Sequence, residues 1–416
     1  MRHVLLISYT FPPENVPAAA RAGQLFKFLP DYGYQPVVVA APLAGWGKDD
    51  PSVHRVPAGN GRMTSSLAAT AARWAARFFA PYEDRWAWVP YATAAAADII
   101  KANAIDAIFT TSPSLAAQFA GLWLKGRFGL PWVADFQDPV RDNPFRTRRW
   151  FYPYDALIER GFFRWADHLA ANTDTVAAAW RARYPQWREK ISVLWNSYDP
   201  LEPIATGETA RRPERVLAHI GSLYDGRHPR QLLESVERLK IEPSCARIKL
   251  VGPIAPAVLA EHGALFERVR HSGVLTYGNR VVSRDEALAE TAGADYLVLL
   301  DVNEKNASFQ VPSKLLDYIR VGKPILAYTP TGSPVERILA RSGIAHTTID
   351  PLAPPEISDR KLLEFLRLPP ETRPASRWFV ETFSARTQAR IVAGLLDAVL
   401  QAKTARAGLA LERNRR

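Results

Sequence analysis

The segment 308–328, SFQVPSKLLDYIRVGKPILAY, holds the residues of this chain best suited to gripping an anion. Pro312 fits the start of a helix, where its preset φ is favourable and its missing N–H sacrifices no internal bond. Behind it, the free N–H groups of the first turn around Ser313, the positive end of the helix dipole and the Lys314 ammonium would converge on a diphosphate. Asp317, one turn on, could accept hydrogen bonds from ribose hydroxyls. The plainer reading of the same residues is a proline-initiated helix with a solvated lysine.

Such residues need a frame. Apolar β-branched runs alternate with longer helical stretches from end to end, the pattern of parallel sheets with crossover helices. In the first half strands are predicted at 4–8, 36–41, 107–111, 132–135, 168–171 and 191–195, with helices near 18–31, 86–101, 115–128, 154–165 and 174–183. The stretch 196–213, with three prolines and one glycine, reads as a linker. Strands resume at 216–220, 248–251, 274–277, 296–300, 324–328 and 345–348, with helices that include 229–239, 284–292, 313–321 and 334–340. A last periodic segment, 382–402, reads as a long helix. The expected fold is α/β, two doubly wound Rossmann-like domains facing an interdomain cleft. The division is 1–198 and 199–381, with helix 382–403 packing back on the first domain and 404–416 as a basic tail. In such sheets ligands bind outside the strand C-termini at the switch point.

Composition narrows the class. A chain of 416 residues is too long for one core, and 47% apolar with 23% charged residues excludes a disordered chain. The single cysteine, Cys245, rules out an intramolecular disulfide and predicts a reducing compartment. The apolar run 4–7 is too short for a signal peptide, and no window approaches the ~18–20 apolar residues of a membrane span. The expected location is cytoplasmic, free or peripheral on the inner membrane face. The net charge of +11 is spread along the chain, with local peaks at 141–149 and 403–416. That suits phosphate-bearing substrates or an anionic membrane, or an ordinary solvated surface, better than a nucleic-acid module with one basic face. Trp74, Phe78, Phe79, Tyr82, Trp86 and Trp88 alternate with Arg73, Arg77 and Arg85. With Arg146, Arg148, Arg149 and Trp150 they could lie at an anionic bilayer interface. The same aromatics could equally pack the first domain's core. No His/Cys cluster offers metal ligands, and neither Asp135-Phe136-Gln137 nor Asp199-Pro200-Leu201 is a DxD motif.

With its flanks, the 308–328 segment resembles the donor-binding signature of the retaining glycosyltransferases called family 4, which have the GT-B fold. There a glutamate opens a helix that leads through a small-residue turn into "GxPV" and a strand. Counting back five residues from Gly322 puts Asp317 at that glutamate's place, and the family's first glutamate, eight residues earlier, falls on Phe309. Val311-Pro312-Ser313-Lys314 followed by Asp317-Tyr318 resembles the "VPSK…EY" of a branch acting on polysaccharide and O-antigen precursors. The segment 218–236, AHIGSLYDGRHPRQLLESV, resembles the family's first strand, glycine turn and helix of the second domain. Gly221 keeps the turn. Ser222 stands where an arginine is usual and could donate one hydrogen bond. Arg227 stands at a lysine's position, where it could act as a bidentate donor to phosphate. His228 reads as a surface or helix-start residue.

The first half matches more loosely. Tyr9-Thr10-Phe11-Pro12-Pro13 followed by Arg21 resembles the family's first strand and loop, with Pro17-Ala18 replacing a usual glycine pair. Thr111-Ser112-Pro113 resembles the branch's "TSP". Asp135-Phe136-Gln137-Asp138-Pro139, then Arg141-Asp142-Asn143-Pro144-Phe145, resembles "DFRDPW…NP". That loop follows a strand and is expected to point into the cleft. There Asp135 and Asp138 would orient the acceptor hydroxyl or donor sugar, or else form a loop-stabilising Asx network. Arg21, Ser112, Asp135 and Arg141 are the acceptor-side candidates. The segment 193–200 resembles the "NGvD" exit from the first domain, and 378–384 the closing segment.

The resemblance implies transfer of a sugar from a nucleotide-diphosphate sugar to a glycan or lipid-linked acceptor, with retention, in cell-surface polysaccharide biosynthesis. No metal, no cofactor and no nucleic-acid partner are expected. The donor would be bound by Gly221, Ser222, Arg227, Pro312, Ser313, Lys314 and Asp317. Catalysis would rest on Arg227, Lys314 and Asp138, through electrostatics and positioning. Two other classes remain open: a sugar-nucleotide epimerase of similar outline, and a non-catalytic donor-binding relative, which Phe309 leaves in play.

Overall fold

The computed structural model describes residues 1–14, 16–43, 50–57, 85–141, 143, 152–204, 214–224, 226–302 and 309–415. The chain forms two compact units: Met1–Asn196 with Ala385–Arg416, and Ser197–Ser384.

The first unit runs β1 (Arg2–Ser8), α1 (Pro17–Phe28), β2 (Tyr34–Ala40), β3 (Val53–Arg55), α2 (Val89–Ala102), β4 (Ile105–Thr111), α3 (Leu115–Phe128), β5 (Trp132–Phe136), α4 (Tyr152–Trp165), β6 (His168–Ala171), α5 (Asp174–Arg183) and β7 (Ile191–Val193). Its strands are parallel, in the order β3-β2-β1-β4-β5-β6-β7. Val4 to Ile7 of β1 are fully buried, the continuous apolar run of a parallel strand covered on both faces. The strand order reverses between β1 and β4, which makes that junction the switch point.

The second unit runs β8 (Arg215–Ile220), α6 (Arg230–Arg238), β9 (Ala246–Val251), α7 (Pro256–His271), β10 (Leu275–Gly278), α8 (Arg284–Gly293), β11 (Tyr296–Leu300), α9 (Lys314–Val321), β12 (Ile325–Tyr328), α10 (Pro334–Ser342), β13 (His346–Ile349), α11 (Pro355–Leu366) and α12 (Arg377–Phe383). Its parallel sheet is ordered β10-β9-β8-β11-β12-β13, with the switch point between β8 and β11.

The twelve strands predicted from sequence all form, most within two residues of their expected bounds. The thirteenth, β3, is a three-residue edge strand, too short to show a period. α7 and α11 each open on a proline, which punctuates a sequence as readily as it starts a helix. The terminal segment differs from expectation. It breaks at Ser384 into α12 and a 31-residue helix α13 (Ala385–Arg415), so the stretch expected as a tail is helical to Arg415. Ala385, Ala389, Val392, Ala393, Leu396 and Val399 form a helical stripe that joins the core of the first unit with Val4 and Leu6. Arg386 and Asp397 anchor the two ends of that stripe, to Asp31 at 2.6 Å and to the Tyr34 hydroxyl at 2.7 Å.

One interior group makes the first unit sensitive to pH. His168, at the start of β6, lies with Nε2 2.9 Å from the Ser192 hydroxyl. Burial, reinforced by the Lys190 charge, pushes its imidazole down to about 4. Its stabilising contribution is therefore complete above the unfolded value of ~6.5 and is lost as pH falls toward 4. Between pH 7 and 5 the native protein is expected to lose about 2 kcal/mol more stability than His168→Gln. Chemical denaturation at both pH values tests this, and parallel losses in the two proteins would contradict it.

Candidate functional site

In the second unit β8 and β11 lie side by side, and their C-terminal ends gather charge. After β8 the chain turns at Gly221, with φ +131°; a Cβ there would come 2.4 Å from Lys314 Nζ. Gly252, after β9, has φ +134°, and a Cβ on it would lie 2.6 Å from the Gly221 carbonyl oxygen. Both positive φ values favour glycine, and at Gly252 the clash is with rigid backbone. Tyr318 fastens α9 to β8, its hydroxyl accepting from Ile220 N at 2.9 Å.

Lys314 is the first residue of α9, and its Nζ lies 3.1 Å from His219 Nε2. The His219 Nδ1 sits 2.8 Å from the Val298 carbonyl, which can only accept. Nδ1 therefore carries the proton, and Nε2 is the acceptor for the ammonium. Burial, followed by the Lys314 charge, holds His219 well below its ordinary range. Burial, followed by the Arg227 charge, likewise holds Lys314 well below its own, against the opposing pull of Asp301.

Arg227 is 9% exposed, its guanidinium 4.9 Å from the Tyr224 ring centroid, and its Nε is buried without a hydrogen-bond acceptor among the described residues. The neighbouring carboxylate, Asp301, follows β11. It accepts from Val302 N at 2.8 Å and from the Thr329 hydroxyl at 2.9 Å. Burial pushes Asp301 up to about 6, against the attraction of Arg227. Among the described residues, two cations thus face one carboxylate of weakened acidity, an arrangement suited to taking an anion.

Asp317 is held in an ion-pair network that its place in the sequence does not announce. Both its oxygens accept from Arg284, the first residue of α8, at 2.6 and 2.7 Å. The same guanidinium donates to both Glu202 oxygens at 3.0 and 2.8 Å. Arg320 donates to the Glu202 carbonyl at 2.7 Å and stacks over Tyr198, whose ring is parallel to Phe379. Pro312 is buried and Ser313 exposed at the helix cap, with their carbonyls accepting from Leu315 and Leu316. Ser222 is exposed and Phe309 half-buried. His228 directly precedes the cap of α6, its ring 4.4 Å from that of His262.

In the first unit the acceptor-side candidates are largely engaged with one another. Arg21 and Asp135, 3% and 0% exposed, pair at 2.7 Å. Arg21 also donates to Asn172 and, at 2.8 Å, to Asn196. The second oxygen of Asp135 accepts from the Thr111 hydroxyl at 2.6 Å. Burial raises the Asp135 carboxyl, with Arg21 opposing. The Ser112 hydroxyl accepts from Gln137 N at 3.0 Å inside the same framework. Only Asp138 and Arg141 of this set are partly exposed, and the Arg141 amide is held by buried Glu159. Asp142, Pro144, Phe145, Arg146, Arg148, Arg149 and Trp150 lie outside the described residues, as do Arg73, Trp74, Arg77, Phe78, Phe79 and Tyr82. The remaining members of that aromatic series pack inward. Arg85 lies over Tyr9, Trp86 against Phe119, and buried Trp88 donates to the Val56 carbonyl at 3.0 Å.

Four residues of the second unit's cluster escape a reading by motif: His219, Asp301, Arg284 and Glu202. His219 and Asp301 carry a faint signal, a polar residue near the end of an apolar strand where ligands bind in such sheets. Arg284 and Glu202 meet Asp317 only through the fold. Among the described residues no group of three or more His, Cys, Asp or Glu could hold a metal ion. None of the described helices is long and apolar enough to cross a membrane.

Residues 18–201 match the model of Glycosyltransferase Family 4, the half in which the motif resemblance is looser. No curated protein matches the chain. Among solved structures it is similar to HepE of Anabaena, solved with UDP and glucose, at 12% identity and TM-score 0.57, covering 98% of this chain and 100% of that one. Sucrose-phosphate synthase of Thermosynechococcus elongatus aligns at 13% identity and TM-score 0.61, with 99% of each chain covered. WaaG, a glycosyltransferase involved in lipopolysaccharide biosynthesis, aligns at 15% identity and TM-score 0.57, covering 96% of this chain and 99% of that one. Enzymes of family 4 are typically metal-independent and use nucleotide sugars. Residues 18–201 thus carry the match to family 4, and the two parallel sheets have the GT-B-like fold of these solved structures.

Proposed function

We propose that the chain is a nucleotide-sugar-dependent glycosyltransferase and that the diphosphate of its donor binds in the second unit between Arg227 and Lys314, beside the Gly221 turn. One observation carries this reading: among the described residues, the buried Arg227 Nε–H has no acceptor and stands with Lys314 against a single carboxylate, Asp301. A buried donor without a partner costs ~1–3 kcal/mol, which an arriving phosphate oxygen would recover. Transfer breaks the bond from the anomeric carbon to the phosphate oxygen and forms one to the acceptor oxygen on the same face. The acceptor's proton passes to the departing phosphate. Arg227 and Lys314 stabilise the negative charge growing on that phosphate, so the chemistry is electrostatic and needs no metal. Pro312 and Ser313 open the helix whose N-terminal dipole adds to this field, and exposed Ser222 supplies a further hydroxyl donor.

The acceptor we propose is a glycan or lipid-linked sugar of a cell-surface polysaccharide. Partly exposed Asp138, following β5, orients its hydroxyl, with Arg141 as a further acceptor-side group. The lipopolysaccharide role of WaaG supports the pathway, and the HepE complexes with UDP and UDP-glucose make uridine donors the first to test. A reaction at the cytoplasmic face of a membrane, with peripheral contact, fits the basic charge and the single cysteine.

The test is a thermal-shift panel of UDP-, GDP-, dTDP- and ADP-sugars. One base is expected to raise the melting temperature, since a ligand at 100 times its Kd adds about 2.7 kcal/mol. Hydrolysis-free incubation with that donor should leave the sugar's configuration unchanged, which separates a transferase from an epimerase. A panel in which no sugar nucleotide stabilises the protein would overturn the reading.

A further inference from the structure

We infer that Arg284 is a positioning residue for the donor ribose: anchored on Glu202, it fixes the plane of the Asp317 carboxylate for a vicinal diol. The inference rests on the reading of Asp317 as the ribose acceptor and adds what makes that carboxylate competent. Two adjacent hydroxyls need two acceptor oxygens in one fixed plane. A lone aspartate at the start of a helix can rotate about its terminal torsion, which is broad. Here the guanidinium meets it fork to fork, Nη1 to Oδ2 at 2.6 Å and Nη2 to Oδ1 at 2.7 Å. Such a pairing fixes orientation as well as charge.

It also leaves capacity. An ionised carboxylate has about four lone-pair sites, and Arg284 uses one on each oxygen, so each keeps one for a hydroxyl. Asp317 is 12% exposed at the side chain and Arg284 41%, so the pair lies at an edge open to a ligand.

The guanidinium is itself held. Its Nε and Nη2 donate to Glu202, whose main-chain carbonyl and carboxylate take Arg320. Arg320 lies 4.0 Å from Asp317 Oδ1 and stacks on Tyr198. Two cations therefore lock two carboxylates, one from the segment that opens the unit and one from α9. Lysine at 284 would keep the charge but could not hold both carboxylates by paired parallel bonds.

The experiment titrates UDP, GDP, ADP and dTDP, and then the 2′,3′-dideoxy form of whichever ribonucleotide binds best; tightest binding of dTDP, which lacks the 2′-hydroxyl, would overturn the inference. The proteins are the wild type, Arg284→Ala, Arg284→Lys and Glu202→Gln, each first checked for cooperative melting. The wild type is expected to prefer the hydroxyl-bearing nucleotide at least tenfold. Arg284→Ala should weaken that nucleotide about tenfold and leave the dideoxy form within twofold, erasing the preference. Arg284→Lys should recover less than half of the loss, and Glu202→Gln should show a smaller loss confined to the hydroxyl-bearing nucleotide. Equal weakening of both forms by Arg284→Ala, or an unchanged preference, would overturn the inference and leave the phosphate site intact. A wild type that binds none of the four nucleotides would overturn the donor site itself, and this inference with it.

Discussion

Lys314→Met is expected to lower kcat/KM for sugar transfer by about 10²–10³-fold, the usual cost of removing one donor to charge that develops in a transition state. Methionine keeps the length and flexibility of the side chain but supplies no cation. The fold should not suffer. Without donor the ammonium sits against Arg227 with burial opposing its charge, so the variant's melting temperature should equal or exceed that of the wild type. Steady-state kinetics beside a melting curve separate the two effects. Full activity, or a variant that loses activity only because it unfolds, would count against the assignment. The pairing of lost function with retained stability is the signature of a residue whose partner arrives with the substrate.

The largest stability effect is expected in the first unit. Asp135→Ala should cost about 3–5 kcal/mol, because it strands the buried Arg21 guanidinium without a counter-charge. Arg21 Nε already lacks a hydrogen-bond partner among the described residues, and the two asparagines that take Nη2 cannot neutralise the charge. The Thr111 hydroxyl would lose its acceptor as well. Replacing both charges, as Arg21→Met with Asp135→Leu, should be markedly less damaging than the single change, since no isolated charge remains. Urea denaturation of the three variants provides the comparison. A loss below ~1 kcal/mol for Asp135→Ala would mean that water reaches the pair, contrary to its burial.

This buried pair also marks where sequence reading stops. Asp135 ends an apolar strand run, and its place before Asp138 made the two look alike as acceptor-side groups. Only the packing separates them: Asp135 turns inward to Arg21, while Asp138 remains partly exposed. The strands themselves were plain in the sequence because parallel strands covered on both faces are unbroken apolar runs, as in YLVLL of β11. The helix at Lys314 was legible for a different reason, since proline and the φ +82° glycine at 322 bracket it. Partnerships across the sheet were not legible. Arg284 and Asp317 are 33 residues apart, and Lys314 and His219 are 95 apart, so no local spacing could join them. Asp317 shows both sides of this. The motif gives its position, and the fold adds Arg284, which turns an isolated carboxylate into an oriented one.

The most direct test of the central claim is a crystal structure of the chain with the nucleoside diphosphate that stabilises it most. Phosphate oxygens are expected within hydrogen-bond distance of the Arg227 guanidinium, including Nε, and of Lys314 Nζ, with Lys314 drawn away from His219. A diphosphate bound elsewhere in the second unit, with Arg227 Nε still unpartnered and Lys314 still on His219, would contradict the account.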